Sequence, residues 1–122
     1  MGLRVLLNGI CNIMKDKLCL VTGGFDPLHS GHIEYFKAAK ELSNYLVIAV
    51  NSDKWLIKKK NYFFMPWSER SEIIKSLSFV DEVIAFDDSD GSACDAIKIC
   101  LTKAEKVLFA NGGDRKKDNI PE

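Results

Sequence analysis

The chain contains two histidines, and both fall in residues 22–32, TGGFDPLHSGH, as His29 and His32. Gly23, Gly24, Phe25 and Asp26 precede them, and Gly31 lies between them. Glycines let a ligand approach the backbone closely. A helix opening directly afterwards aims its unpaired amide groups at the same place, which suits an anion and above all a phosphate. One imidazole just ahead of such a helix and another in its first turn can both reach that anion. There they can stabilise charge building on phosphorus in a transition state. A metal centre is not expected, because two histidines three positions apart hold an ion only if a third ligand arrives, and nothing in the sequence dictates which. The dinucleotide fingerprint G-x-G-x-x-G is not met either, and no P-loop lysine follows.

The elements that must position this segment follow from apolar periodicity. Residues 18–22 (LCLVT) read as a buried strand stopped by the two glycines. Ser30 is the expected N-cap of a helix whose inward positions are Ile33, Phe36, Ala39 and Leu42. Residues 45–50 (YLVIAV) are continuously apolar, as in a strand covered on both faces. Ser68 is expected to open a second helix carrying Ile73, Ile74 and Leu77, ahead of a strand at 83–86. A turn at 89–91, a helix at 93–101 with Ala96, Ile97 and Cys100 inward, and a strand at 107–110 complete the pattern. Alternation of this kind predicts an α/β fold, a Rossmann-like doubly wound parallel sheet in three αβα layers. Ligands in such sheets bind beyond the carboxyl ends of the strands. There the sequence places GGFDPLHSGH, NSDKWLIKKK, FDDSDG and NGGDRKKDN, so glycine, acidic, histidine and basic groups converge on one edge.

With 122 residues, 47% of them hydrophobic, the chain suits a single globular domain. Lys plus Arg (17) balances Asp plus Glu (17), so no global field favours nucleic acid or a membrane surface as partner. Cys11, Cys19, Cys94 and Cys100 form no CxxC pair and read as reduced, buried thiols of a cytoplasmic protein. Residues 1–16 are too interrupted for a membrane span and read as a disordered leader or a misassigned start, with the domain at 17–122. Trp55, Phe63, Phe64 and Trp67 flank the lysine run and read equally well as a stacking surface or a packing patch. Asp87, Asp88 and Asp90 read as a solvated turn and helix cap.

GGFDPLHSGH resembles the G-x-F-D-x-x-H-x-G-H signature of the cytidylyltransferase-like nucleotidyltransferases. VNSDKWLIKKK, PWSERSEIIKSLSFVDEV, FDDSDGSACDAI and ANGGDRKKDNIPE continue the resemblance, which is nearest to heptose-phosphate adenylyltransferases and glycerol-3-phosphate cytidylyltransferases. It implies transfer of AMP or CMP from ATP or CTP to a sugar phosphate or polyol phosphate, with release of pyrophosphate and with Mg²⁺ accompanying the triphosphate. It also implies that His29 and His32 contact the phosphates, that Lys60 (with Lys58 and Lys59 as rivals) and Arg70 neutralise charge, and that Gly24, Phe25, Asp26 and Asp53 belong to the nucleotide site. Asn111, Gly113 and Asp114 match the loop near ribose and base. Members of the family continue past that loop into a further strand and a helix that binds triphosphate. Here the chain stops at Glu122, so that strand and helix are expected to be missing. A nucleotide-binding domain without turnover is therefore the second reading, and the fourth strand is expected to be an exposed edge that invites a homodimer.

Overall fold

The computed structural model describes residues 15–110. Eight elements follow one another: β1 (Lys15–Gly23), α1 (Ser30–Lys40), β2 (Leu46–Val50), α2 (Asp53–Lys60), α3 (Trp67–Lys75), β3 (Glu82–Ile84), α4 (Cys94–Leu101) and β4 (Ala104–Ala110). The four strands form one parallel sheet in the order β3-β2-β1-β4. The chain steps outward from β1 through β2 to β3, then crosses back to the other side of β1. The strand order reverses between β1 and β4, and in open parallel sheets the crevice beyond such a reversal is where ligands bind.

Strand alternation sends successive side chains to opposite faces. Cys19, Val21, Ile48 and Val50 pack against Phe36 and Ala39 of α1 and Ile74 of α3. Leu18, Leu20, Val47 and Ala49 pack against Ala96 and Cys100 of α4. The expected three layers are thus present, and every residue of β2 is buried. Among the described residues β4 is an edge strand of the sheet, and Leu108 on it is exposed.

Several local expectations are corrected. The first helix is capped by His29 rather than Ser30, and it ends at Lys40, so Leu42 falls off its inward face and is 51% exposed. The helix expected from Ser68 starts at Trp67 behind Pro66. Its start is capped from outside, the Trp67 N–H donating to Asp53 Oδ1 at 2.8 Å. Ile73 faces outward, so Ile74 alone of that pair is buried. The strand expected at 83–86 closes at Ile84. Cys19 and Cys100 are buried, and burial pushes the Cys100 thiol up to about 11, but Cys94 is exposed. Cys11 and the rest of the leader up to residue 14 lie outside the described residues.

Helix α2 carries no apolar periodicity, because Leu56 is its one buried residue. Its stability comes from its ends. The Ser52 side chain accepts the Trp55 N–H, Asp53 sits in the first turn, and Lys58, Lys59 and Lys60 sit in the last. Acid at the N-terminus and base at the C-terminus complement the helix dipole.

Candidate active site at the carboxyl edge of the sheet

The histidine spacing is a helix cap. His29 Nδ1 accepts the Gly31 N–H at 3.0 Å, and His32 Nδ1 accepts the His29 N–H at 3.2 Å. The two rings stack with centroids 4.0 Å apart. This reciprocal arrangement is the imidazole counterpart of a Ser-x-x-Glu capping box. A neutral imidazole that accepts at Nδ1 carries its proton at Nε2. Both rings are therefore oriented as Nε2–H donors without needing a positive charge, at the N-terminus of α1 and beside the reversal point of the sheet.

Phe25 supplies the floor under this pair. Its φ is 51°, a left-handed conformation that a non-glycine residue adopts only when its surroundings enforce it. Its ring lies edge-on to His32 at 5.3 Å and edge-on to Phe36 at 5.1 Å. Gly23 is required by the same turn, since a Cβ there would stand 2.7 Å from the Phe25 ring. Burial, followed by the neighbouring His29, holds the His32 imidazole below the ordinary histidine range.

The pH consequence has a definite sign. The unfolded chain takes up the His32 proton near pH ~6.5, while the folded chain resists it to lower pH. This contribution to stability is complete above about pH 6.5 and is lost as the pH falls through the folded pKa. In an NMR titration the His32 ring is expected to have a midpoint below about 6.5, accompanied by a falling Tm on acidification. A midpoint at or above about 6.5, the ordinary histidine value, would contradict the capped, neutral ring.

Gly31 is required by His29 rather than by its own backbone. A Cβ at residue 31 would stand 2.8 Å from His29 Cε1 and 3.0 Å from Nδ1. Gly31→Ala favours the helix by propensity yet pushes the His29 ring out of its stack. The expected result is a fold retained by circular dichroism, with the ring signals of His29 and His32 shifted in an NMR spectrum as the stack opens.

Asp26, Asp53, Lys60 and Arg70 also gather at this edge, but mainly with one another. The Asp26 side chain is buried; burial pushes its carboxyl up, but N–H groups of Phe64 and Met65, both at 2.7 Å, and Lys60 together hold it below the usual range. Lys60 Nζ lies 3.2 Å from Asp26 Oδ2, donates to the Asp26 carbonyl at 2.8 Å, and faces the rings of Tyr62 and Phe64. Arg70 is fully buried. Its Nε donates to Met65 O at 2.8 Å, its Nη1 to Gly24 O at 2.7 Å and Asn51 O at 2.8 Å, and its Nη2 to Asp53 Oδ1 at 2.6 Å. Four of its five N–H groups are thus spent inside the protein. The guanidinium does not face an open anion site; it ties the ends of β1 and β2 to α2 and to the 61–65 loop. Asn111, Gly113 and Asp114 lie outside the described residues.

A cleft of about 680 Å³ opens between α2 and the loop after β3. Lys54, Trp55, Lys58 and Lys59 form one wall and Phe86, Asp87 and Ser89 the other. Lys59 faces the Trp55 ring at 5.0 Å. Trp67, by contrast, packs against the core and donates Nε1–H to Val50 O, while Phe64 is 64% exposed. Among the described residues no group of three or more His, Cys, Asp and Glu side chains is placed to hold a metal ion.

Two contributors escaped the sequence reading. Tyr35 OH donates to the carbonyl of Ala110, the last residue of β4, at 2.8 Å, linking the histidine helix to the strand across the reversal point. Its position one helical turn beyond His32 was the available signal. Asp88 is buried rather than solvated, with Oδ2 accepting from Asn51 Nδ2 and the Ser52 N–H and Oδ1 from Ser52 Oγ. The other two acids of that loop do form local turns, Asp87 with Ser89 and Asp90 with Ser92.

A family model described as Cytidylyltransferase-like matches residues 20–118. The bifunctional protein HldE of Blochmanniella floridana is 34% identical across 96% of this chain and 24% of its own length. The FAD synthase of Thermococcus sibiricus is 46% identical across 57% of this chain and 49% of its own. The glycerol-3-phosphate cytidylyltransferase of Bacillus subtilis is 37% identical across 56% and 53%. The chain therefore spans from about a quarter to about half of the length of these relatives. Among solved structures, the lipopolysaccharide core biosynthesis protein of Thermoplasma volcanium superposes with a TM-score of 0.62 at 27% identity, covering 76% of this chain and 72% of that one.

Proposed function

This chain belongs to the cytidylyltransferase-like family, and we propose on that footing that it transfers AMP or CMP from a nucleoside triphosphate to a sugar phosphate or polyol phosphate. The observation that carries this reading is the capped histidine pair, two Nε2–H donors beside the point where the sheet order reverses. An oxygen of the acceptor phosphate attacks the α-phosphorus of the triphosphate. The new P–O bond forms as the bond to the β-phosphate breaks, and pyrophosphate leaves. The nucleophile is already an anion, so no general base is needed, and the protein's task is alignment and charge neutralisation. His29 and His32 donate to the oxygens on the α-phosphorus, where charge builds. Phe25 holds the His32 ring, and Arg70, Asp53 and Asp26 hold the surrounding loops. The lysine-lined cleft seats the acceptor, with Lys54 and Lys58 answering its phosphate.

Mg²⁺ would enter with the triphosphate and would neutralise charge at its phosphates. Asp26, the acid within the motif, has both oxygens engaged by N–H groups and is not free to hold the ion, so the phosphates themselves would carry it. Pyrophosphate release, assayed with ATP and CTP against a panel of phosphorylated sugars, polyols and flavin mononucleotide, tests the reaction. No release with any pair, from protein shown to be folded, would overturn it.

A second reading, nucleotide binding without turnover, is favoured by Lys60 and Arg70, both committed to internal partners. It expects a raised Tm with nucleotide and no pyrophosphate. No helix among the described residues is long and apolar enough to cross a membrane. A homodimer through the β4 edge is part of the proposal and is read by sedimentation.

A further inference from the structure

We propose that Asp88, itself part of the lining of the lysine-lined cleft, is a positioning residue that sets the width of that cleft through its bonds to Asn51 and Ser52, and so governs affinity for the phosphorylated acceptor. The inference rests on the reading that the acceptor sits in that cleft. One wall is α2, and the other is the loop that follows β3. That loop is weakly tethered by the sheet, because β3 has three residues and its ladder with β2 ends at Ala49 and Ile84. Its Asp87–Ser89 and Asp90–Ser92 contacts shape it internally, and the Asp87 N–H donates to Asp95 of α4.

The hydrogen bonds that join the two walls among the described residues are the three made by Asp88. Oδ2 accepts from Asn51 Nδ2 at 3.0 Å and from the Ser52 N–H at 2.8 Å, and Oδ1 accepts from Ser52 Oγ at 2.8 Å. Ser52 is also the N-cap of α2, its Oγ accepting the Trp55 N–H at 3.1 Å. One carboxylate thus grips the root of the helix that presents Lys54, Lys58 and Lys59. From the opposite side the same Asn51–Ser52 junction is held by Arg70 on the Asn51 carbonyl and by the Asn51 N–H on Gly23 O. A carboxylate is an acceptor-only group and meets all three donors. Asp88→Ala removes both oxygens, leaves Asn51 Nδ2, the Ser52 N–H and Ser52 Oγ without them, and so loosens one wall against the other.

The two tryptophans separate the outcomes, since Trp55 lines the cleft and Trp67 is tied to Val50 O. Full-length protein labelled with fluorotryptophan is titrated by fluorine NMR with glycerol 3-phosphate, with ribitol phosphate and, separately, with Mg-ATP and Mg-CTP; Trp55→Phe assigns the signals. In the wild type a polyol phosphate is expected to move the Trp55 signal further than that of Trp67, which lines an adjoining pocket with Ser52, Lys54 and Phe86. Asp88→Ala is expected to raise the Kd of that probe about tenfold, with nucleotide Kd within about twofold. In turnover the acceptor KM rises by the same factor at near-constant kcat. If Asp88→Ala does not fold, Ser52→Gly, which removes the Oγ bond to Asp88 and leaves a residue tolerated as an N-cap, carries the test with a smaller rise of the same selectivity. A wild-type Trp55 signal that no phosphate moves overturns the acceptor seat and this proposal with it. A seat that binds equally well in the folded variant, or a variant that weakens nucleotide and acceptor alike, overturns the role of Asp88 alone.

Discussion

Arg70→Ala is expected to cost about 2–4 kcal/mol of stability, the scale of several hydrogen bonds left unmade around a buried side chain, with the ion pair discounted because the Asp53 side chain is 35% exposed. The Arg70 side chain is fully buried, and its loss takes the donor from the carbonyls of Met65, Gly24 and Asn51, while the Asp53 carboxylate keeps the Trp67 N–H. Each buried acceptor left without a donor carries its own penalty of about 1–3 kcal/mol, offset in part by water entering the gap. Urea denaturation reads this as a shifted midpoint at unchanged slope. Arg70→Lys is expected to recover little, because an ammonium cannot span acceptors arranged around a planar fork. The alternative, a guanidinium that faces the triphosphate, makes a different forecast: stability intact, nucleotide KM raised. Stability within about 0.5 kcal/mol of wild type in Arg70→Ala, the usual range for a surface substitution, would remove the buried-hub account.

His29→Asn is expected to lower kcat by about 10²-fold to 10³-fold with little change in Tm, because the cap and the donor can be separated at this position. Asparagine is among the best N-cap residues, so its side-chain oxygen can take the Gly31 N–H that His29 Nδ1 now accepts. What it cannot supply is an N–H at the distance of Nε2. His29→Ala loses both and is expected to cost about 1 kcal/mol of stability besides the rate. His32→Ala is expected to lose rate to a similar extent while also leaving the His29 N–H unpartnered and the Phe25 edge unpacked. Steady-state kinetics and thermal melts on the same preparations decide the matter. A kcat near wild type in His29→Asn would reduce the pair to a helix cap.

Much of the fold was legible because its signals are local. The run 45–50 is apolar without alternation, and β2 is buried along its whole length. The glycine pair closes β1, and the histidine segment opens a helix within one residue of the expected place. Helix α2 was not legible from periodicity, since a helix with one buried residue has no apolar stripe to read. Its Ser-Asp start and triple-lysine end were the only signs of it, and they act through capping and the dipole rather than through burial.

The sequence by itself determined the parallel αβα architecture, the placement of chemistry at the carboxyl ends of the strands, and the membership implied by GGFDPLHSGH. These depend on patterns a few residues long. The tertiary structure alone decided which polar side chains face a ligand and which face the protein. Arg70 meets Gly24 from 46 positions away and Asp53 from 17, and Asp88 meets Ser52 from 36. At such separations charge type says nothing about direction; the strand order β3-β2-β1-β4 brings those backbone ends together, and burial then obliges a guanidinium and a carboxylate to satisfy them.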